Sequence, residues 1–332
     1  MKIAVLFRKK ASEEELAQDD VIGRFDVESL KFVSNSLKEL GYEVEVINPE
    51  DVRKLMHRDF DIAFNLCDDG LFGRSNLEPH IPALLETFQI PFTGSNYLTL
   101  ALCLDKHKTK QLLAFNKIYT PKFQIFTSGS EKLDNDLQFP LIVKPSREDA
   151  SIGISDDSVI YTKNKLKPKV LDLISKYKQP ALVEEYIDGR ELNVGVLGNE
   201  KPTILPISEI VFNLPEKMNK ICSYEAKWIV EHEAYNGTKP QCPAKISEKL
   251  NKELVDLALR AYKLMECRDY GRIDFRVDSS GKPYVLEVNP NPDISPNAGL
   301  ANMASKAGLS YTQLIEKIFG YAIERTSFSK KE

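Results

Sequence analysis

The sequence predicts an α/β (α+β) fold divided into more than one domain. Three observations predict it: a strand-helix-strand opening, later strand-like runs again separated by helical stretches, and two alternating runs near the end that flank a tight turn. At about 150 residues per domain, the 332 residues suggest two domains and allow three.

Lys2 to Phe7 is a short apolar run that reads as a first strand. From Glu28 to Leu40 the apolar residues Leu30, Val33, Leu37 and Leu40 recur at helical spacing, and Gly41 follows where a helix C-cap would sit. Val44 and Val46 alternate with Glu43 and Glu45 as a half-exposed strand; Asp61 to Leu66 supplies another strand and Ile81 to Phe88 another helix. After Pro91 the stretch FTGSNYLTLALCLDKHKTKQLL reads as helical, with Ser95 or Asn96 as N-cap, and ends near Pro121. Strand-like runs follow at Phe139 to Lys144 and Ala181 to Ile187. Lys217 to Cys242 has little periodicity and is expected to be a long loop, functional or mobile. Ser247 then caps an amphipathic helix running to about Cys267.

Composition narrows the function. The 45 Lys+Arg against 49 Asp+Glu give a formal net charge of -4, so no nucleic acid partner is expected. The apolar and charged fractions, 42% and 28%, are those of an ordinary globular enzyme. No apolar stretch approaches the ~20 residues of a membrane span. The start, MKIAVLFRKK, lacks the layout of a signal peptide, so a cytoplasmic protein is expected. The five cysteines contain no C-x-x-C pair and the four histidines no H-E-x-x-H, which suggests neither a disulfide framework nor a zinc site. The first strand-to-helix loop, RKKASEEELAQDDVIG, has no G-x-G-x-x-G, and that sets a dinucleotide-binding dehydrogenase aside.

Three constellations carry chemistry. In YGRIDFRVDSSGKPYVLEVNPNPDISPN, period-2 geometry puts Arg272, Asp274 and Arg276 on one strand face, and Glu287 and Asn289 on one face of the next. If the hairpin pairs those faces, three hard oxygen donors converge beside an arginine, a set suited to Mg2+ with substrate phosphates as remaining ligands. An exposed polar sheet face would show the same alternation, but the E-x-N-P-x-P ending stops the strand where the ligands would be. In FPLIVKPSREDASIG, Lys144 ends an apolar strand, where an ammonium calls for an anion, and the small polar residues after it could turn N–H groups toward phosphate. In ALVEEYIDGRELNVGVLG, Glu184, Glu185 and Glu191 could accept hydrogen bonds from an exocyclic amine and ribose hydroxyls. Surface placement would account equally for a lone strand-end lysine or a turn carboxylate.

Taken in order, these pieces resemble the ATP-grasp ligases, and most closely the D-alanine-D-alanine ligase branch. The matching stretches are IPFTGS, LDKHKTK, IVKPSREDASIG, VEEYIDGRELNV, SYEAKW, CPA, GRIDF and EVNPNP, and they cover roughly residues 90 to 320. The resemblance implies an ATP-grasp fold of three domains: a Rossmann-like N-terminal domain at 1–96, a central one at 97–187 and a C-terminal one at 188–332. ATP would lie between the second and third. It implies Lys106 and Lys144 on ATP phosphates, Ser151 in the loop covering them, Glu184, Glu185 and Ile187 at the adenine, and Glu191 at the ribose. Lys227 would reach the γ-phosphate, Arg272 would stabilise the acyl phosphate, and Asp274, Glu287 and Asn289 would hold two Mg2+ ions, or Mn2+. The implied reaction joins a small carboxylate and a small amine through an acyl phosphate, with a homodimer as the plausible assembly and no membrane partner.

The chain departs from that family on the amino-acid side. Where the family has a glycine- and serine-rich first loop with an ammonium-binding glutamate, this chain has FRKKASEEELAQDD, and Glu13, Glu14 or Glu15 would have to substitute. Ala150 and Trp228 replace a serine and a tyrosine, Asp293 a glycine that offers its N–H to the oxyanion, and Ala298 a serine that holds a carboxylate. Substrates other than two D-alanines are therefore expected. A genuine D-alanine-D-alanine ligase and a non-catalytic ATP-binding module are the alternatives.

Overall fold

The computed structural model describes residues 1–8 and 21–328. The first-loop glutamates Glu13, Glu14 and Glu15 lie outside the described residues. A parallel sheet of order β2-β1-β3 opens the chain, from β1 (Lys2–Leu6), α1 (Val21–Glu39), β2 (Glu43–Ile47), α2 (Val52–His57) and β3 (Ile62–Asn65). Central β1 is buried from Ile3 to Leu6, as a parallel strand covered on both faces must be. Edge strand β2 leaves Glu43 exposed. α3 (His80–Thr87) follows.

The single helix expected after Pro91 is two, α4 (Tyr97–Leu104) and α5 (Lys106–Phe115). Asp105 makes the break by offering its carboxylate to the Lys108 N–H at 3.2 Å, so that it caps α5. Asn96, one of the two expected caps, accepts from the Thr99 N–H at 2.8 Å and starts α4. Cys103, Leu113 and Ile118 of this segment pack in the core of the last sheet.

The second sheet is antiparallel, order β4-β7-β5-β6, built from β4 (Phe123–Phe126), β5 (Leu141–Pro145), β6 (Val159–Ile160), α6 (Lys163–Tyr177) and β7 (Ala181–Glu185). The third has order β11-β10-β8-β12-β13 with β9 beside β8. Its elements are β8 (Gly189–Leu197), β9 (Thr203–Ile204), β10 (Ser208–Phe212), α7 (Tyr224–Trp228), α8 (Glu233–Gly237), β11 (Thr238–Gln241), α9 (Glu248–Leu264), β12 (Tyr270–Asp278) and β13 (Pro283–Asn289). The long loop expected over Lys217 to Cys242 thus contains two short helices and an edge strand. Caps place them: Ser223 Oγ accepts from the Ala226 N–H at 3.2 Å and His232 Nδ1 from the Ala234 N–H at 3.1 Å. Elements of one turn are too short to show a hydrophobic period.

α10 (Gly299–Lys306) and α11 (Tyr311–Phe328) close the chain, and α11 returns to the first sheet. Ile315, Ile318, Phe319 and Ala322 share one core with Ile3, Val5, Val33 and Leu37. A polar clamp secures the return. Asp269, fully buried, accepts from the Gly94 N–H at 2.8 Å and from Arg325 Nε and Nη2 at 2.9 and 2.6 Å. Arg325→Ala strands that carboxylate in the interior and is expected to cost about 3 kcal/mol, read as a lower urea midpoint at unchanged slope. Among the described residues no helix is long and apolar enough to cross a membrane.

Candidate active site

The register of β12 and β13 builds the site. Arg272 faces Asn289 and Asp274 faces Glu287, after which a bulge shifts the pairing so that Phe275 meets Val285. Bulges re-aim side chains at the point of insertion. Across the other edge of β12, β8 sets Asn193 opposite Asp274. Four donors therefore surround one carboxylate. Arg272 gives Asp274 two parallel bonds, Nε to Oδ1 and Nη2 to Oδ2, both 2.8 Å. Asn193 Nδ2 donates to Oδ1 at 2.7 Å and Asn289 Nδ2 to Oδ2 at 2.9 Å.

Two lysines approach from the second sheet and from α5. Lys106 Nζ lies 2.8 Å from Asp149 Oδ1 and 3.5 Å from Glu287 Oε2, and donates to the Glu148 carbonyl at 2.6 Å. Lys144, at the end of apolar β5, sits 2.5 Å from Glu184 Oε1. The other oxygen of Glu184 is 2.7 Å from Lys110 Nζ, a fully buried ammonium that also donates to Thr120 Oγ1 at 2.7 Å. Two lysines thus share one carboxylate.

Burial opposes every charge here, and neighbours decide the outcome. Glu287 is brought down to about 2 because Lys106, Lys144 and Arg272 outweigh its desolvation. Desolvation likewise opposes the Arg272 charge, yet Asp274, Glu287 and Asp293 together raise its pKa. For Glu191, burial wins and pushes the carboxyl up despite Arg276 Nη2 at 3.3 Å. The Glu287 shift has a stability consequence. A carboxylate lowered in the folded state contributes above its unfolded value of 4.5, and that contribution fades as pH falls toward about 2. Acid titration of the unfolding free energy is expected to show this loss, and Glu287→Gln to remove it.

A strained loop covers the lysines. Ala150 and Ser151 have φ of 54° and 63°, left-handed values that cost residues with a Cβ about 1 kcal/mol each or more. Three bonds to the segment around α7 hold them: Trp228 Nε1 to the Ala150 carbonyl at 2.8 Å, Ser151 Oγ to the Cys222 carbonyl at 2.7 Å, and the Tyr224 N–H to the Ile154 carbonyl at 2.8 Å. Trp228→Phe removes the first. It is expected to raise the rate of limited proteolysis in 217–242 by about fivefold, the equivalent of about 1 kcal/mol.

Of the residues expected from sequence, the fold gathers Lys106, Lys144, Glu184, Arg272, Asp274, Glu287 and Asn289. Glu191 joins through Arg276, which also donates to the Gly189 carbonyl at 3.0 Å and to that of Lys220. Ile187 lies in the short connection between β7 and β8, where the chain passes from one sheet to the next. Three residues stand apart. Glu185 accepts from the Gln138 N–H at 3.1 Å, Lys227 is exposed with Nζ 5.1 Å from the Trp228 ring, and Ser151 turns its hydroxyl to Cys222. Sequence reasoning passed over Lys110, Asp149 and Asn193. Lys110 was within reach, since it lies one helical turn from Lys106; Asn193 meets Asp274 through strand pairing alone.

Asp274 and Glu287 with the Asn289 amide form a hard donor set of the kind Mg2+ takes. Among the described residues no three His, Cys, Asp or Glu side chains gather to hold a metal by themselves. Such a set needs substrate oxygens to complete it.

A family model described as the D-ala D-ala ligase C-terminus matches residues 112–320. The D-alanine-D-alanine ligase of Aquifex aeolicus is 31% identical over 319 residues, 96% of this chain and 99% of that one. An uncharacterized protein of Sinorhizobium fredii, y4sG, is 40% identical over 264 residues, 80% of this chain and 75% of its own length. The crystal structure of a D-alanine-D-alanine ligase from Bacillus anthracis complexed with ATP shares the fold, with a TM-score of 0.75 at 24% identity over 99% of each chain. Fold and site together define an ATP-grasp ligase. Within that class, the chain belongs to the D-alanine-D-alanine ligase family.

Proposed function

We propose that this protein is a Mg2+- and ATP-dependent carboxylate-amine ligase whose substrates are not two D-alanines. The observation that carries the reading is the Arg272–Asp274 pair, set beside Glu287 and Asn289 and faced by Lys106. In this reading ATP lies between units 97–187 and 188–332, with 1–96 closing the substrate side. Lys106 and Lys144 hold its phosphates under the Ser151 loop, Glu184, Glu185 and Ile187 the adenine, Glu191 the ribose, and Lys227 meets the γ-phosphate when α7 moves inward. Asp274, Glu287 and Asn289 hold two Mg2+ ions, which when bound neutralise phosphate charge.

A substrate carboxylate oxygen attacks the γ-phosphorus, the bond to ADP breaks, and an acyl phosphate forms. An amine nitrogen then attacks the acyl carbon and gives up a proton as phosphate leaves. Arg272 faces the charge that collects on the acyl oxygen, so its contribution is electrostatic and positional, and no side-chain nucleophile is needed.

The substrate side supports a change of specificity. Ala298 stands at the N-cap of α10 with no side-chain bond, and Asp293 folds its carboxylate back onto the Ser295 N–H and Oγ at 2.7 and 3.0 Å. The relatives' names favour D-alanine instead. Phosphate release from ATP and Mg2+ against D- and L-amino acids, singly and in pairs, separates the two, with products identified by mass spectrometry. Other substrates are expected to promote release; D-alanyl-D-alanine as the dominant product would reverse the assignment. EDTA is expected to abolish turnover in either case. A cytoplasmic homodimer accords with this role.

A further inference from the structure

Arg272, Asp274 and Arg276 share a face of β12, and the ligase chemistry above uses only the first two. Arg276 is nevertheless the most elaborately held of the three. It is 4% exposed and stands directly opposite Glu191 in the pairing of β12 with β8. A buried guanidinium is costly unless its donors are met, and here they are. Nη1 donates to the Gly189 carbonyl at 3.0 Å, Nη2 donates to the Lys220 carbonyl, and Nη2 also lies 3.3 Å from Glu191 Oε2. Its Cζ is 5.7 Å from the centre of the Tyr186 ring and 5.4 Å from that of Phe212, within cation–π range of both. The Gly189 carbonyl is available because the strands close up there: a Cβ at that position would collide with the Val277 carbonyl.

Two backbone carbonyls and two rings fix the guanidinium, so what it holds in turn is fixed. Glu191 is the group it holds. A glutamate side chain is long and rotatable, and ordering it costs entropy that a partner has to offset. Among the described residues Arg276 is the one base that Glu191 pairs with at ion-pair distance. That pair engages one oxygen, and a carboxylate has acceptor sites on both, so capacity remains for hydroxyl donors. Pairing also keeps the carboxylate ionised against its burial, and an ionised acceptor makes the stronger hydrogen bond.

We propose that Arg276 is a positioning residue for nucleotide selection: it holds Glu191 ionised and oriented to accept from the ribose hydroxyls, and so makes the site prefer a ribonucleotide. This rests on the ligase reading above, in which Glu191 takes the ribose. Arg276 itself acts through Glu191 rather than by touching the nucleotide.

The test measures Kd by calorimetry for ATP and for 2′,3′-dideoxy-ATP, each with Mg2+, on the full chain. The wild type is expected to bind ATP about tenfold or more tightly, the worth of one charge-assisted hydrogen bond. Arg276→Met keeps the buried volume without the charge, and Arg276→Lys keeps the charge without the fork that reaches Glu191 and both carbonyls at once. Each is expected to bring the ratio to within about threefold of one, as is Glu191→Gln. Adding Arg276→Met to Glu191→Gln is expected to change the ratio no further, since the two act as one unit. The ratio compares two ligands on the same variant, so a general loss of stability does not move it. The wild-type ratio retained in Arg276→Lys would overturn the proposal, and so would a double variant that falls well below both single ones. A wild-type ratio near one would overturn it too and leave the ligase reading standing, because ATP would still bind. A wild type that binds neither nucleotide would sink both.

Discussion

Arg272→Ala is expected to lower kcat by about 10²- to 10³-fold, the usual loss on deleting a preorganised donor to a developing oxyanion. ATP affinity is expected to hold, because the lysines proposed to hold the nucleotide lie on α5 and β5 rather than on β12. The variant also removes both Arg272 bonds from Asp274, a carboxylate 6% exposed, so a loss of about 3 kcal/mol in stability accompanies it. Arg272→Lys separates the two effects. It keeps a charge to pair with Asp274 but cannot reproduce the planar two-bond geometry, so stability should largely return while kcat stays low. Wild-type kcat in either variant would rule out Arg272 as the group that meets the acyl oxygen, whereas an intact biological effect in Arg272→Ala would favour a binding module with no need of it.

The second large effect belongs to Glu184. Glu184→Gln leaves Lys110 and Lys144 buried without their shared carboxylate, and about 3–5 kcal/mol of stability should go with it. For a chain of this size that is a fall in Tm of about 10 °C. Lys110 has the sharper dependence on pH. Burial pulls it down to about 8 against the attraction of Glu184, so the folded protein holds fewer protons than the unfolded chain between about pH 8 and its model value of 10.5. The unfolding free energy should therefore rise with pH across that window. Lys110→Met removes this rise. Combined with Glu184→Gln it should recover part of the lost stability, because an apolar side chain fills the site without a stranded charge. A double variant as unstable as the sum of the two would show that the triad is not coupled.

Much of the site was legible before any contact was known, and the reason is local. The E-x-N-P-x-P run ends β13 at Asn289 because Pro290 cannot continue a ladder, and alternation across a short turn puts Asp274 opposite Glu287. Lys144 was readable because a lysine at the end of LIVKP is costly without an anion. Other features needed partners distant in sequence. Glu78 lies in a stretch without periodicity, and it is buried where Asn291, 213 residues away, donates to it. Ala150 gives no sign of its left-handed backbone, since Trp228 and its neighbours hold it there. The break at Asp105 was hidden because an aspartate fits a helix interior by pattern and ends one only when its carboxylate captures a backbone N–H.

The sequence by itself determined the class of fold, the β12–β13 hairpin and which oxygen donors and lysines to propose for the site. Periodicity, turn residues and prolines act over a few residues and can be read in order along the chain. Tertiary structure alone decided which charges are partnered. It set Arg272 on Asp274, put two lysines on Glu184 and folded the Asp293 carboxylate onto Ser295. Electrostatic energies depend on distance and burial rather than on sequence order, so these partnerships appear only once the sheets are assembled.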